Sequence, residues 1–247
     1  MIAANAGTWM SLNVIVTGAG SGIGLTCVRL LLDRGARIVG MDLNTTKLDE
    51  FGDRVVRMPL DISKSDACRD SVEQAERSLG HIDALIHFAA VWSGATWDRC
   101  DQNEWAKVIA VNLTGTFFLA QAVASRMMKR KKGSIVLTGS DSAKTGGVAS
   151  GAAYVASKGG VLAMTRNFAA ALGPSGIRVN AINPGVVETP MTEQWSADYK
   201  RDLISRTPLR RLAQPDDVAE VACFLASDQS RFITGEVIEV NGGHYFD

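Results

Sequence analysis

Apolar residues along this chain follow two rhythms. Short, nearly continuous apolar runs rich in Val and Ile alternate with longer stretches in which apolar residues return every third or fourth position. A short continuous run fits a strand buried on both faces, and a 3.6-residue recurrence fits the inward stripe of a helix. The runs predict strands at Asn13 to Thr17, Ala36 to Asp42, Val55 to Pro59, Ala84 to Phe88, Ser134 to Thr138, Arg178 to Ile182 and Glu236 to Val240. The periodic stretches predict helices near Gly22 to Arg34, Lys64 to Leu79, Asn103 to Lys129, Ala152 to Leu172 and Pro215 to Ala226. Strands separated by helices pair in parallel through right-handed crossovers. The expected fold is therefore α/β, a doubly wound parallel sheet of about seven strands in a three-layer αβα sandwich.

The 247 residues suit one such domain, 1–247, and no repeat, low-complexity tract or linker divides them. Residues 1–9 precede both Met10 and the first strand and are expected to form a loose N-terminal extension. Lys plus Arg and Asp plus Glu both number 26, so there is no net field to draw in nucleic acid or an anionic membrane. The basic run Lys129 to Lys132 closes a helical stretch before Gly133, where cations complement the carbonyl end of the helix dipole. Cys27, Cys68, Cys100 and Cys223 form no C-x-x-C pair, which argues against structural zinc and a secreted disulfide framework. No run of consecutive apolar residues approaches the ~18 of a membrane span, and the N-terminus lacks a basic, then apolar, leader pattern. A cytoplasmic protein without metal, membrane or nucleic-acid partner is expected.

In a parallel sheet, ligands bind beyond the carboxyl ends of the strands. The first strand runs into Thr17-Gly18-Ala19-Gly20-Ser21-Gly22-Ile23-Gly24, and a helical pattern begins at once. Glycines there let the backbone approach a pyrophosphate, while the helix start offers free N–H groups; a tight connection alone would also use them. Asp42 ends the second strand, 18 residues past Gly24, where a carboxylate can accept hydrogen bonds from an adenosine ribose and repel a 2′-phosphate. Neither Ser21 nor Leu43 supplies a compensating cation, so NAD is expected over NADP; Arg37 is the residue able to upset that choice. Tyr154 and Lys158 stand four apart on a predicted helix, hence on one face. A cation held there favours the phenolate and lowers the phenol's pKa toward the range of an acid–base catalyst.

These motifs resemble those of the short-chain dehydrogenase/reductase family, single-domain branch, over nearly the whole chain. The glycine motif stands as Thr17 to Gly24, and the catalytic Y-x-x-x-K as Tyr154 to Lys158. The resemblance implies a Rossmann-type sandwich with catalytic residues Asn112, Ser140, Tyr154 and Lys158. It implies dinucleotide contacts from Gly18, Ser21, Gly22, Ile23, Asp42 and Leu43. Asp61, Ile62 and Ala89 would follow near adenine and the central strands. Tyr154, Lys158, Pro184, Val187 and Thr189 would serve the nicotinamide end. Tyr154 is then the acid/base, Ser140 holds the substrate oxygen, Lys158 serves tyrosine and ribose, and Asn112 holds a water linking Lys158 to solvent.

Two departures stand out. His87-Phe88-Ala89-Ala90 replaces the family's N-N-A-G, and His87 reads as a buried structural histidine rather than a second acid–base group. Ser140 lies 14 residues before Tyr154, one more than the family spacing, which a loop insertion explains; Ser142 is the alternative and is expected to line the substrate side, with Asp141 shaping the pocket. Trp92, Ser140, Ser142, Tyr154 and Trp195 are the expected substrate contacts, with Val148, Val186 and Met191 as further walls and about 188–207 as a lid. Apolar walls suggest a neutral secondary alcohol or its ketone. An NADPH-dependent 3-oxoacyl-carrier-protein reductase is the alternative; an extended-branch epimerase or dehydratase and a non-catalytic NAD-binding scaffold are weaker rivals. The family also implies a homotetramer joined through the helices 103–129 and 152–172 and the C-terminal segment.

Overall fold

The structure is a computed structural model and describes residues 12–147 and 150–247; the expected extension 1–9 and the wall residue Val148 lie outside these. Seven parallel strands form one sheet in the order β3-β2-β1-β4-β5-β6-β7. They are β1 (Asn13–Thr17), β2 (Arg37–Asp42), β3 (Val55–Pro59), β4 (Ala84–His87), β5 (Gly133–Thr138), β6 (Ile177–Pro184) and β7 (Val237–Val240). The strand order reverses between β1 and β4, so their carboxyl ends open the crevice in which such sheets bind ligands. Thr17 and His87 are register partners at that point.

The alternation of side chains along a strand builds two cores. Ile15 of β1 points to one layer, with Val72 of α2 (Ser65–Leu79), Leu119 and Val123 of α4 (Thr116–Arg130) and Val161 of α6 (Ala152–Leu172). Val14 and Val16 point to the other, with Leu25 and Val28 of α1 (Gly22–Asp33) and Val218 and Ala222 of α8 (Pro215–Ala226). The doubly wound αβα sandwich is as expected.

The expected helix Asn103 to Lys129 is broken. It comprises α3 (Gln102–Ile109), a wide π turn at Ala110–Gly115, and α4. The turn brings the backbone against the loop after β3: a Cβ on Gly115 would stand 2.4 Å from the Ile62 carbonyl oxygen. The 29-residue stretch Gln102–Arg130 contains an 18-residue window of mean hydropathy 1.5, long and apolar enough to cross a membrane. Counting consecutive apolar residues overlooked it, because Asn112, the Thr114 to Thr116 stretch and Gln121 interrupt the run. Here its apolar stripe, Leu119, Ala120, Val123 and Met127, is core. The sequence pattern also missed two short helices, α5 (Ser142–Thr145) and α7 (Ala197–Arg206), the second inside the segment 188–207.

Candidate active site

The turn after β1 shows why glycines stand there. A Cβ on Gly24 would lie 2.1 Å from the Gly18 carbonyl oxygen, and one on Gly18, whose φ is +67°, would lie 2.8 Å from Ala89 N. Ser21 makes no side-chain cap on α1, and the helix's first residues line a cavity of about 270 Å³ beyond β1 and β4. Gly18, Ser21, Gly22, Ile23, Asp42 and Leu43 form one side of it. Asp61, Ile62, Ala89 and Thr189 complete the set expected there. Asp42 ties strand end to turn, accepting from Gly20 N at 2.9 Å and Asn44 N at 3.1 Å. Asp61 accepts from the Ser63 hydroxyl at 2.7 Å and its amide at 3.0 Å, which holds its carboxyl below the usual range. Among the described residues, no lysine or arginine lines this cavity. Arg37 begins β2, at the far end from Asp42, and donates to the Leu79 and Ser78 carbonyls at the end of α2.

A second cavity, of about 140 Å³, adjoins the first and shares six of its walls, Ile23, Phe88, Ala90, Thr138, Thr189 and Met191. Ser140, Tyr154, Lys158, Pro184 and Val187 line it, under Trp92 and Trp195, whose ring centroids are 6.0 Å apart. Trp195 meets Tyr199 of α7 edge-on at 5.2 Å. Ser142, expected on the substrate side, is not among the lining residues; its Oγ lies 2.8 Å from Ser140 Oγ. The cause is α5 and the Gly146-Gly147 turn, which absorb the extra residue and press Ser142 inward; a Cβ on Gly147 would stand 2.4 Å from Ser142 Cβ.

Tyr154 and Lys158 share the buried face of α6, with Lys158 Nζ 5.7 Å from the Tyr154 ring centroid. The phenol's acidity runs against the sequence expectation. Burial pushes Tyr154 up to about 12; Ser140's hydroxyl pulls it down and the Asp141 carboxylate pushes it further up. Burial also pushes Lys158 down to about 8. Its ammonium donates to the Thr138 carbonyl at 2.8 Å, so removal from water outweighs the attraction that four-residue spacing promised.

His87 closes a hydrogen-bond chain with fixed directions. The Thr116 hydroxyl donates to the Asn112 carbonyl (2.7 Å), so it accepts from His87 Nε2–H (2.9 Å). His87 Nδ1 then accepts from the Thr17 hydroxyl (2.7 Å). Burial, then Lys158, lowers His87 to about 3, which keeps it neutral. Asn112, in the wide turn, accepts from Val91 N and donates to Val91 O, both at 2.8 Å, and donates to Ser157 Oγ at 3.2 Å. Its side chain thus braces the β4 extension and the residue preceding Lys158. Sequence reasoning missed the Thr17–His87–Thr116 chain and the contact of Asp141 with His244, whose Nδ1 lies 2.9 Å from Asp141 Oδ2. Both depend on residues distant along the chain.

A parallel sheet with a glycine turn at its switch point, beside a buried Tyr-Lys pair, defines a dinucleotide-dependent oxidoreductase of the α/β class. A family model described as enoyl-(acyl carrier protein) reductase matches residues 18–245. A 3-oxoacyl-[acyl-carrier-protein] reductase of Thermotoga maritima is 37% identical over 236 residues, 93% of this chain and 96% of that protein. A cis-4-hydroxycyclohexanecarboxylate dehydrogenase of Sinomonas cyclohexanicum is 35% identical over 237 residues, 93% and 95% of the two chains. The crystal structure of a 3-oxoacyl-[acyl-carrier protein] reductase from Brucella melitensis matches with TM-score 0.90 at 32% identity, over 97% of this chain and 93% of that one. This chain belongs to the short-chain dehydrogenase/reductase family. It is an oxidoreductase of a family that binds nicotinamide dinucleotides and acts on CH–OH groups of small molecules.

Proposed function

We propose that the chain interconverts a neutral secondary alcohol and its ketone with NAD, using Tyr154 as acid/base. The observation that carries this reading is the meeting of Ser140, Tyr154 and Lys158 in a cavity that shares walls with the glycine-turn cavity. The residues present fit a dinucleotide, because the space that side chains at Gly18 and Gly24 would fill is kept clear. When bound, it supplies the hydride acceptor or donor. Gly18, Ser21, Gly22 and Ile23 would hold its phosphates; Asp42 and Leu43 its adenosine ribose; Asp61 and Ile62 the adenine; Ala89, Pro184, Val187 and Thr189 its nicotinamide end. Asp42 and the absence of lysine or arginine from the cavity wall support NAD.

Ser140 donates to the substrate oxygen and orients it toward the phenol. In reduction, Tyr154, protonated at neutral pH, gives its proton to that oxygen; in oxidation it takes one. Lys158 holds the ribose and stabilises the phenolate, while Asn112 serves through Val91 and Ser157. Trp92 and Trp195 supply apolar substrate walls, and 188–207 acts as the lid. Tyr154→Phe should bind NAD as the wild type does yet lose about a thousandfold or more in turnover, followed by nicotinamide absorbance with a panel of alcohols and ketones. Undiminished turnover would remove the reading.

A second reading, reduction of a 3-oxoacyl thioester with NADPH, is favoured by the names of several relatives. The ratio of kcat/KM for NADPH and NADH with a 3-oxoacyl thioester decides between them. Four free thiols fit a cytoplasmic setting. Apolar Leu113 of the wide turn, Phe117 of α4 and Met164 and Phe168 of α6 support a homotetramer, which light scattering tests.

A further inference from the structure

Residues 241–247 fold back onto the candidate site. Gly242 (φ +64°) and Gly243 (φ +86°) take left-handed conformations that turn the chain after β7. Asn241 fixes the turn, accepting from Gly243 N and donating to the Tyr245 carbonyl, both at 2.9 Å. The turn delivers His244 to Asp141, Nδ1 to Oδ2 at 2.9 Å. An ionised carboxylate only accepts, so Nδ1 carries the proton. Lys144 of α5 straps the same tail: it pairs with Glu239 at 2.9 Å and with Asp247, and lies 5.8 Å from the Tyr245 ring centroid.

Asp141 stands between Ser140 and Ser142 and is 7% exposed. Its amide donates to the Pro184 carbonyl at 3.0 Å. Gly185 leaves it room, since a Cβ there would lie 3.3 Å from Asp141 Oδ2 and 3.0 Å from Asn241 Cα. Burial raises the Asp141 carboxyl; the His244 hydrogen bond and charge and the Ser142 amide pull it down, and Glu239 of β7 pushes it up. Asp141 also acts on Tyr154 of α6 and Tyr199 of α7. Arg211, Asp217 and Glu239 share a cavity wall with His244.

We propose that His244 is a positioning residue for the hydride-transfer site: by holding Asp141 it fixes the Ser140–Ser142 turn against Tyr154 and sets how strongly the Asp141 carboxylate opposes the phenolate. The role rests on Tyr154 and Ser140 acting as proposed above. It makes the C-terminal tail part of the machinery through one contact spanning 103 residues of sequence.

The test compares wild type, H244A, H244N, D141N and D141N/H244A in the oxidising direction across pH, after melting curves. H244A should lose about tenfold in kcat with the NAD KM unchanged. The midpoint at which its kcat rises should move to higher pH, because the carboxylate that opposes Tyr154 ionisation has lost the N–H that offset its charge. H244N places an amide N–H where Nδ1 stood and should recover to within about threefold of wild type. Once Asp141 is neutral, removing His244 should cost less than about twofold. The proposal is overturned if H244A keeps wild-type kcat and pH midpoint, if H244N is as impaired as H244A, or if H244A costs the same in both backgrounds. Should H244A melt below the assay temperature, H244M, which fills the space but offers no N–H to Asp141, replaces it in both backgrounds, with the same coupling required. An inactive Tyr154→Phe beside an unaltered H244A removes only the role of His244; an active Tyr154→Phe removes the underlying reading.

Discussion

Lys158→Met should make this protein more stable while abolishing its turnover. Lys158 is 3% exposed and, among the described residues, donates one hydrogen bond, to the Thr138 carbonyl at 2.8 Å. Its displacement from 10.5 to about 8 means that the fold disfavours the charged form by about 3 kcal/mol. Methionine keeps most of the stem and removes the charge, at the loss of a hydrogen bond contributing about 1 kcal/mol. The net gain at neutral pH is then about 2 kcal/mol, or a rise of about 4–8 °C in Tm for a domain of this size. The sign over pH follows from linkage. Below the folded value both states hold the proton and the penalty is complete; between about 8 and 10.5 the unfolded state binds more protons, so the penalty fades as pH rises. The variant's advantage should therefore be greatest at pH 7 and nearly gone by about pH 10.5. Denaturant melts of both proteins at matched pH values measure this difference and cancel every other titration they share. A variant no more stable than wild type at neutral pH, or an advantage that does not shrink with pH, would refute the desolvation argument.

Three further outcomes follow from the geometry. Reduction should proceed at neutral pH and decline as pH passes about 8, where Lys158 loses its charge, whereas oxidation should climb with pH toward the Tyr154 value; opposite slopes in paired pH–rate profiles check this. Asp42→Arg should shift the NADP/NAD ratio of kcat/KM upward by about a hundredfold, since it exchanges repulsion of a 2′-phosphate for attraction. His87→Leu leaves the Thr17 and Thr116 hydroxyls without their buried partner and should cost about 2–5 kcal/mol in urea unfolding.

The sheet was legible because buried strands are continuous apolar runs: β1 and β3 fall where the runs do, and the others shift by a residue or two at their ends. The helix at Ala152–Leu172 was legible for the same reason, an inward stripe of Tyr154, Lys158, Val161, Leu162 and Ala169. α7 was not, because Ala197–Arg206 buries only Leu203 and shows no stripe. The wide turn at Ala110–Gly115 left no mark either, since one turn of altered pitch hardly disturbs a periodicity read over many residues. Within the site, the glycine turn was legible because only glycine satisfies its contacts. The proton states were not. Spacing places Tyr154 beside Lys158, but whether attraction or desolvation prevails depends on how completely β5 and α6 exclude water. Ser142 was misjudged because a one-residue insertion says that a loop is longer, not which way its side chains turn.

His87 shows how a departure from a family motif binds its neighbours into one unit. In the Thr17–His87–Thr116–Asn112 chain every donor already has its acceptor, and the direction of each bond is dictated by the next. An asparagine at 87 would shorten the reach, so that one of the two threonine hydroxyls would lose its contact with the side chain at 87. Replacing His87 alone therefore disturbs the side chains of Thr17 and Thr116 as well.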